Sequence, residues 1–166
     1  MTQAFIGLGS NLGDSRRAVV DATRRIDSLP FTCVRRSSSH YLTPPWGLRE
    51  QPPFINSVVE IDTFLSVGKL LTALLDIERE AGRVRGNVRW GPRALDLDIL
   101  LYGDRVVSSA ALQVPHPHLA QRAFVLAPLA EIAADLIVPG CGRVAELLAS
   151  VDASSCRRLD PLPVPQ

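Results

Sequence analysis

Two stretches of this chain repeat apolar residues at helical spacing, and each lies between runs built like strands; that succession restricts the fold more than any other feature. Residues 4–9, AFIGLG, form a short apolar run closing on glycine and read as a strand. From Asp14 the pattern changes, because Val19, Val20, Thr23 and Ile26 recur at helical intervals, so residues 14–29 read as a helix. Residues 31–42 and 54–64 are both rich in β-branched and aromatic side chains, and the segment between them contains TPPWG and QPP. Two strands joined by a stiff, proline-rich loop are expected. Leu70, Leu71, Leu74 and Ile77 mark a second amphipathic helix over residues 67–81, and residues 95–102 supply a fourth strand. Weaker helical patterns near 119–134 and 143–150 complete the core.

The order strand, helix, strand, strand, helix, strand resembles the split βαβ arrangement: an α+β, ferredoxin-like fold with helices packed on an antiparallel sheet. At 166 residues one domain is expected, spanning 1–160, with PLPVPQ at 161–166 as a proline-rich tail. The opening MTQAFIGLGSN has no basic start with a long apolar run behind it, and nothing approaches the ~20 apolar residues of a membrane span. A cytoplasmic protein without membrane attachment is expected. With 18 basic and 17 acidic residues there is no global field to draw the chain onto nucleic acid or anionic lipid. Cys33, Cys141 and Cys156 are odd in number and far apart, which fits neither a disulfide framework nor a zinc knuckle.

Chemistry is concentrated in RVRGNVRWGPRALDLDIL, residues 83–100. Strand alternation projects Asp96 and Asp98 together, while Leu95, Leu97 and Ile99 point the other way. Two carboxylates on one patch repel unless a cation neutralises them, and Mg²⁺ is satisfied by one or two carboxylates plus substrate phosphates. A solvated strand face would also explain a lone D-x-D. The neighbouring Arg83, Arg85, Arg89 and Arg93 favour the first reading, since metal on one side and arginine on the other is how phosphoryl-transfer sites hold a polyphosphate. Trp90 adds a flat surface for a base. GLGSNLG has one residue too many for G-x-G-x-x-G, and Lys69 lacks the context of a P-loop, so its glycines are expected to let the backbone turn or approach a ligand.

On the strand FINSVVEIDTF, Phe54 and Asn56 share a face, pairing an aromatic plate with an amide that both donates and accepts. That suits a flat, hydrogen-bonding heterocycle, as it would also suit a core Phe beside an edge Asn. In VPHPHL, His116 and His118 lack a further Cys or His nearby, so a histidine bonding a phosphate, with Arg122 close by, fits better than zinc.

Taken in order, GLGSNLGD, TPPWG, F-I-N, E-x-x-x-GRVR, RWGPRALDLDIL, VPHPHL and R-x-F resemble the 6-hydroxymethyl-7,8-dihydropterin pyrophosphokinases of folate biosynthesis. The resemblance implies transfer of the β,γ-diphosphate of ATP, the co-substrate, to the hydroxymethyl group of a reduced pterin, with release of AMP and with two Mg²⁺ ions as cofactors. It implies that Asp96 and Asp98 hold the metals, that Arg83 and Arg93 act on the transferring phosphates, and that Glu78, Arg85, Trp90, Arg93, Ile99, His116 and Arg122 line the ATP site. Thr43, Pro44, Trp46, Phe54, Asn56 and Phe124 would enclose the pterin, its ring between Phe54 and Phe124. Departures from the family pattern are Phe54 where tyrosine occurs, Leu75 where glutamine occurs and Ala111 where arginine occurs. Two small-molecule substrates, no nucleic acid and a monomer are expected. A nucleic-acid-binding ferredoxin-like module is disfavoured by the near-zero net charge and the two aspartates, and a nucleotide hydrolase would release phosphate without a pterin.

Overall fold

The computed structural model describes residues 1–45, 50–82 and 94–163. Strand β1 (Thr2–Ser10) is followed by α1 (Ser15–Asp27), β2 (Thr32–Ser37), β3 (Tyr41–Thr43), β4 (Phe54–Thr63), α2 (Val67–Ala81) and β5 (Asp96–Tyr102). A hairpin of β6 (Val107–Ser108) and β7 (Gln113–Val114) leads through a 3-10 turn at Leu119–Gln121 into α3 (Ala123–Ala133). A second hairpin, β8 (Ile137–Val138) and β9 (Gly142–Arg143), then α4 (Val144–Ala149) and β10 (Arg157–Arg158) close the order.

The two long helices begin where side chains satisfy their first amides: Asp14 accepts from the Arg17 N–H at 3.2 Å and Ser66 from the Lys69 N–H at 3.3 Å. Val19, Ala22 and Ile26 of α1 and Leu70, Leu74 and Ile77 of α2 form the buried stripes. Both stripes pack on one face of the sheet, against Ala4, Ile6, Leu8, Ile55, Val59, Ile61, Leu97 and Ile99. Each such fully buried aliphatic side chain contributes about 1.5–3 kcal/mol.

The main sheet runs β10-β3-β4-β1-β5, with β2 also pairing β4, and every pair is antiparallel. Strand β4 thus separates β1 from β2, and β1 separates β4 from β5, so each βαβ unit is split by a strand of the other. This is the ferredoxin-like α+β arrangement. The single strand expected over 31–42 is two strands. At Ser38 the side-chain hydroxyl accepts the Val58 N–H at 2.9 Å, where a ladder carbonyl would otherwise serve, and the chain leaves the sheet until Tyr41.

Among the described residues, α3 and α4 cover part of the opposite face. Leu126 and Leu129 of α3 and Val144 of α4 pack on Phe5, Val58, Leu100 and Leu101. Leu100 and Leu101 reach that face together because β5 bulges there: Leu101 pairs Phe5 and Ile99 pairs Ile6, leaving Leu100 as the extra residue. Beyond the bulge, the same face of β1, β4 and β5 is the floor of a cavity among the described residues.

Candidate active site

The cavity, about 320 Å³, is floored by Gly7 and Gly9 of β1, Phe54, Asn56 and Val58 of β4 and Asp96, Asp98 and Leu100 of β5. Its walls are Thr43 and Pro44 on one side and His116, Pro117, His118, Arg122, Phe124 and Val125 on the other. Strand register orders the floor. Gly9 pairs Asn56 on one side and Asp96 on the other, and Gly7 pairs Val58 and Asp98. With neighbouring strands about 4.8 Å apart, the backbones that carry Asp96 and Asn56 are roughly 10 Å apart.

The glycines make that floor flat. A β-carbon on Gly9 would stand 2.9 Å from the Asn56 Oδ1, and one on Gly7 3.3 Å from a Leu100 methyl. Their role is close approach within a strand; the sharp turn of this motif is made by Gly13, at φ 72°. Asn56 is 8% exposed and donates from Nδ2 to the Thr43 Oγ1 at 2.5 Å, which fixes its amide plane across the cavity.

At the other end Asp96 is half-buried and Asp98 exposed, both on the cavity side of β5. Arg122, 8% exposed, lies within electrostatic reach of both. Burial draws its pKa down, and Asp98 and Asp96 oppose that pull. Burial likewise draws the His116 imidazole below its ordinary value, with Asp98 opposing and Arg122 and His118 adding to the effect. The shift favours the neutral ring. Because its Nδ1 accepts the His118 N–H at 3.3 Å, the proton resides on Nε2, a donor suited to an anionic oxygen. The guanidinium of Arg122 also stands over the Phe124 ring, 5.5 Å from its centroid, and so links the charged end of the cavity to the aromatic one.

Of the residues expected from the sequence, Asp96, Asp98, His116, Arg122, Thr43, Pro44, Phe54, Asn56 and Phe124 line this one cavity. Glu78 does not line it. Its Oε2 accepts the Leu97 N–H at 2.6 Å, so it grips the edge of β5 that β1 leaves open. The Ile99 side chain lies in the core beneath α1 and α2, on the far face of the sheet. Leu75 is on the surface, 44% exposed, and Ala111 is exposed as well. Trp46, Arg83, Arg85, Trp90 and Arg93 lie outside the described residues. Gly7, Gly9 and Val58 also line the cavity, and the sequence signal for the two glycines is their alternation inside a strand pattern.

A family model described as 7,8-dihydro-6-hydroxymethylpterin-pyrophosphokinase matches residues 5–134. The chain is 45% identical over 160 residues, 96% of its length and 100% of the other's, to a 2-amino-4-hydroxy-6-hydroxymethyldihydropteridine pyrophosphokinase of Methylorubrum extorquens. It is 44% identical to the protein of that name from Pseudomonas aeruginosa, over 95% of this chain and 96% of that one. In fold it is similar to an HPPK-DHPS of Plasmodium falciparum solved with pteroate, at a TM-score of 0.72 and 12% identity. That match covers 90% of this chain and 42% of the longer one, so this chain spans under half of the solved protein.

Proposed function

The chain belongs to the 7,8-dihydro-6-hydroxymethylpterin-pyrophosphokinase family, and from that premise we propose that it transfers the β,γ-diphosphate of ATP to the hydroxymethyl group of 6-hydroxymethyl-7,8-dihydropterin. The products are AMP and the pterin diphosphate, a step of folate biosynthesis. One observation carries the reading: a single cavity has a carboxylate pair with Arg122 and His116 at one end, and Phe54, Phe124 and a clamped Asn56 amide at the other.

Each end has its own work. Phe54 and Phe124 stack a flat ring, and Asn56, its amide plane set by Thr43, reads the ring's hydrogen-bonding edge. His116 Nε2–H and Arg122 donate to phosphate oxygens, and the rough 10 Å between the two ends spans the reach from a heterocycle to a triphosphate. The donor set also fits Mg²⁺. Asp96 and Asp98 project over glycines that bring no competing side chain, and the described residues contain no cluster of three or more metal-ligating groups. Two carboxylates completed by phosphate oxygens are the kind of set this hard ion takes. When bound, Mg²⁺ neutralises phosphate charge as the diphosphate moves. Arg83 and Arg93 complete the phosphate grip from the segment before β5, and Glu78 with the Ile99 backbone forms the rim where the adenosine lies. Arg85 and Trp90 act with that rim, and Trp46 with the pterin wall.

On this reading the protein is a cytoplasmic monomer, with residues 1–160 as one catalytic domain. No described helix is long and apolar enough to cross a membrane. The test is AMP formation from ATP and Mg²⁺ with and without 6-hydroxymethyl-7,8-dihydropterin. AMP that appears only with the pterin, matched by pterin diphosphate, is expected. Phosphate or AMP release that ignores the pterin would instead make the protein a nucleotide hydrolase.

A further inference from the structure

The pterin wall depends on a very short strand. β3 has three residues, and they pair in register with Asn56, Ile55 and Phe54, the segment of β4 that supplies the pterin side. Ser38 is still held to Val58, by its N–H at 2.8 Å and its hydroxyl at 2.9 Å, but Ser39 and His40 stand outside the ladder before β3 and Pro44 follows it. Yet Thr43 must hold still to orient Asn56.

Support comes from α3. The Glu131 carboxylate accepts the Tyr41 hydroxyl at 2.7 Å, the Ser39 N–H at 3.0 and 3.1 Å and the Ser39 hydroxyl at 3.0 Å. Glu131 lies seven residues after Phe124, two turns along the same face of the helix and about 10 Å away along its axis. Thus one helix presents Phe124 to the cavity and is tied through Glu131 to the strand that carries Thr43.

The outer edge of β3 is closed by the end of the chain. Arg157 and Arg158 of β10 pair Leu42 and Tyr41, and the Leu159 N–H donates to the His40 carbonyl at 2.8 Å. The Arg158 Nε donates to the Ser39 Oγ at 2.9 Å, and its Nη2 lies 3.5 Å from the Glu131 carboxylate. From α1, Arg16 donates to the Asp160 carbonyl at 2.8 Å and pins the segment from behind. This brace lies beyond residue 134, where the family match ends.

We propose that Glu131 is a positioning residue for the pterin half of the site, holding β3 against α3 with β10 as its outer brace, so that Thr43, Asn56 and Phe124 keep their mutual geometry. The inference rests on reading that half of the cavity as the pterin side. It distinguishes Glu131 from a carboxylate that merely stabilises the fold, because its loss acts on one substrate and spares the other.

The test compares full-length Glu131→Ala, Glu131→Gln, Tyr41→Phe and Asn56→Ala with the native protein, measuring the KM for hydroxymethyldihydropterin and the dissociation constant of a non-hydrolysable ATP analogue. Glu131→Ala is expected to raise the pterin KM about tenfold, with the analogue affinity within about twofold. Glu131→Gln, which keeps an acceptor for Tyr41 and Ser39, should recover most of the loss, and Tyr41→Phe should lie between. An unchanged pterin KM in Glu131→Ala and Tyr41→Phe, or an equal loss for both ligands, overturns the proposal. Should Glu131→Ala not fold, Tyr41→Phe, which removes one hydroxyl, decides on the same criteria. If Asn56→Ala also leaves the pterin KM unchanged, the assignment of the pterin side has failed; if Asn56→Ala raises it and the Glu131 and Tyr41 variants do not, only the positioning role has.

Discussion

Asn56 and Asp96 stand opposite the same residue, Gly9, from the two strands that flank it. The backbones that carry the Asn56 amide and the Asp96 carboxylate therefore keep a separation set by two rows of backbone hydrogen bonds. A sheet is stiff in this direction, so the two ends of the cavity hold their spacing without a domain closing.

Gly9→Ala tests that relationship. The new methyl would lie 2.9 Å from the Asn56 Oδ1, and Asn56 has little freedom to retreat, because its Nδ2 is held by Thr43 at 2.5 Å. The amide must rotate or lose Thr43. Pterin affinity is expected to fall about tenfold or more, since an unmet polar edge in a closed pocket costs about 1–3 kcal/mol. Nucleotide-analogue affinity should change far less, and titration of each ligand separately checks the difference. Equal losses would mean that Gly9 serves the phosphate end.

Asp96→Ala and Asp98→Ala are each expected to reduce diphosphate transfer by at least about a hundredfold at saturating Mg²⁺, since each leaves phosphate charge poorly neutralised. Both side chains face the cavity, Asp98 exposed and Asp96 half-buried, so the fold and the melting temperature should be retained. Initial rates with Mg²⁺ titrated into each variant provide the measurement. Substantial Mg²⁺-dependent turnover in either would remove the metal-binding assignment.

The Glu131 cluster predicts how stability varies with pH. Burial works against the Glu131 charge, but the bonds from Tyr41 and Ser39, with Arg158 behind them, outweigh it and hold the carboxyl below its ordinary range. A depressed folded value contributes stability above the unfolded pKa, about 4.3 for Glu, that is lost as pH falls through the folded value. Tyr41 has the opposite sign: burial, then its bond to Glu131, raises the phenol, so its contribution is present below about pH 10 and is lost above it. Thermal melts across pH should show Glu131→Gln flattening the acid limb and Tyr41→Phe flattening the alkaline one. Limbs that follow the native protein in both variants would place the titrating groups elsewhere.

Much of this was legible in the sequence, and what was not has physical reasons. The residues 67–81 helix and the residues 95–102 strand could be read because many apolar positions repeat at one period, and so could the shared face of Asp96 and Asp98. The break at Ser38 could not, because one hydroxyl replacing one carbonyl alters no pattern of polarity. β10 is two arginines, which carry no strand signal, and it exists only through pairing with a strand more than a hundred residues away. The family resemblance puts Glu78 near the nucleotide; the structure shows it bonded to the Leu97 amide, an interaction between a helix and a strand edge that no local spacing records. The glycines of GLGSNLG read as a sharp turn and a ligand approach, but their pairing across to Asn56 and Asp96 needs the register, which only the assembled sheet supplies.

Arg122 is expected to differ from every other residue of the cavity in affecting both ligands. Its guanidinium is buried, lies within electrostatic reach of Asp98 and Asp96, and stands 5.5 Å from the centre of the Phe124 ring. Removing it takes a charge-assisted donor from the phosphates, an interaction of about 1.5–3 kcal/mol, and also the cation that holds one face of the aromatic plate. Arg122→Ala should therefore weaken an ATP analogue about tenfold or more and the pterin by a smaller factor of a few. Asn56→Ala should weaken the pterin alone. Combining the two substitutions separates the paths, because Asn56 acts on the ring's edge and Arg122 on the ring's stacking partner, so their effects on the pterin should add within about 0.5 kcal/mol. Separate titrations of the single and double variants decide the matter: a loss in Arg122→Ala confined to the nucleotide would show that Phe124 keeps its place without the guanidinium, and that the two ends of the cavity are joined by the sheet alone.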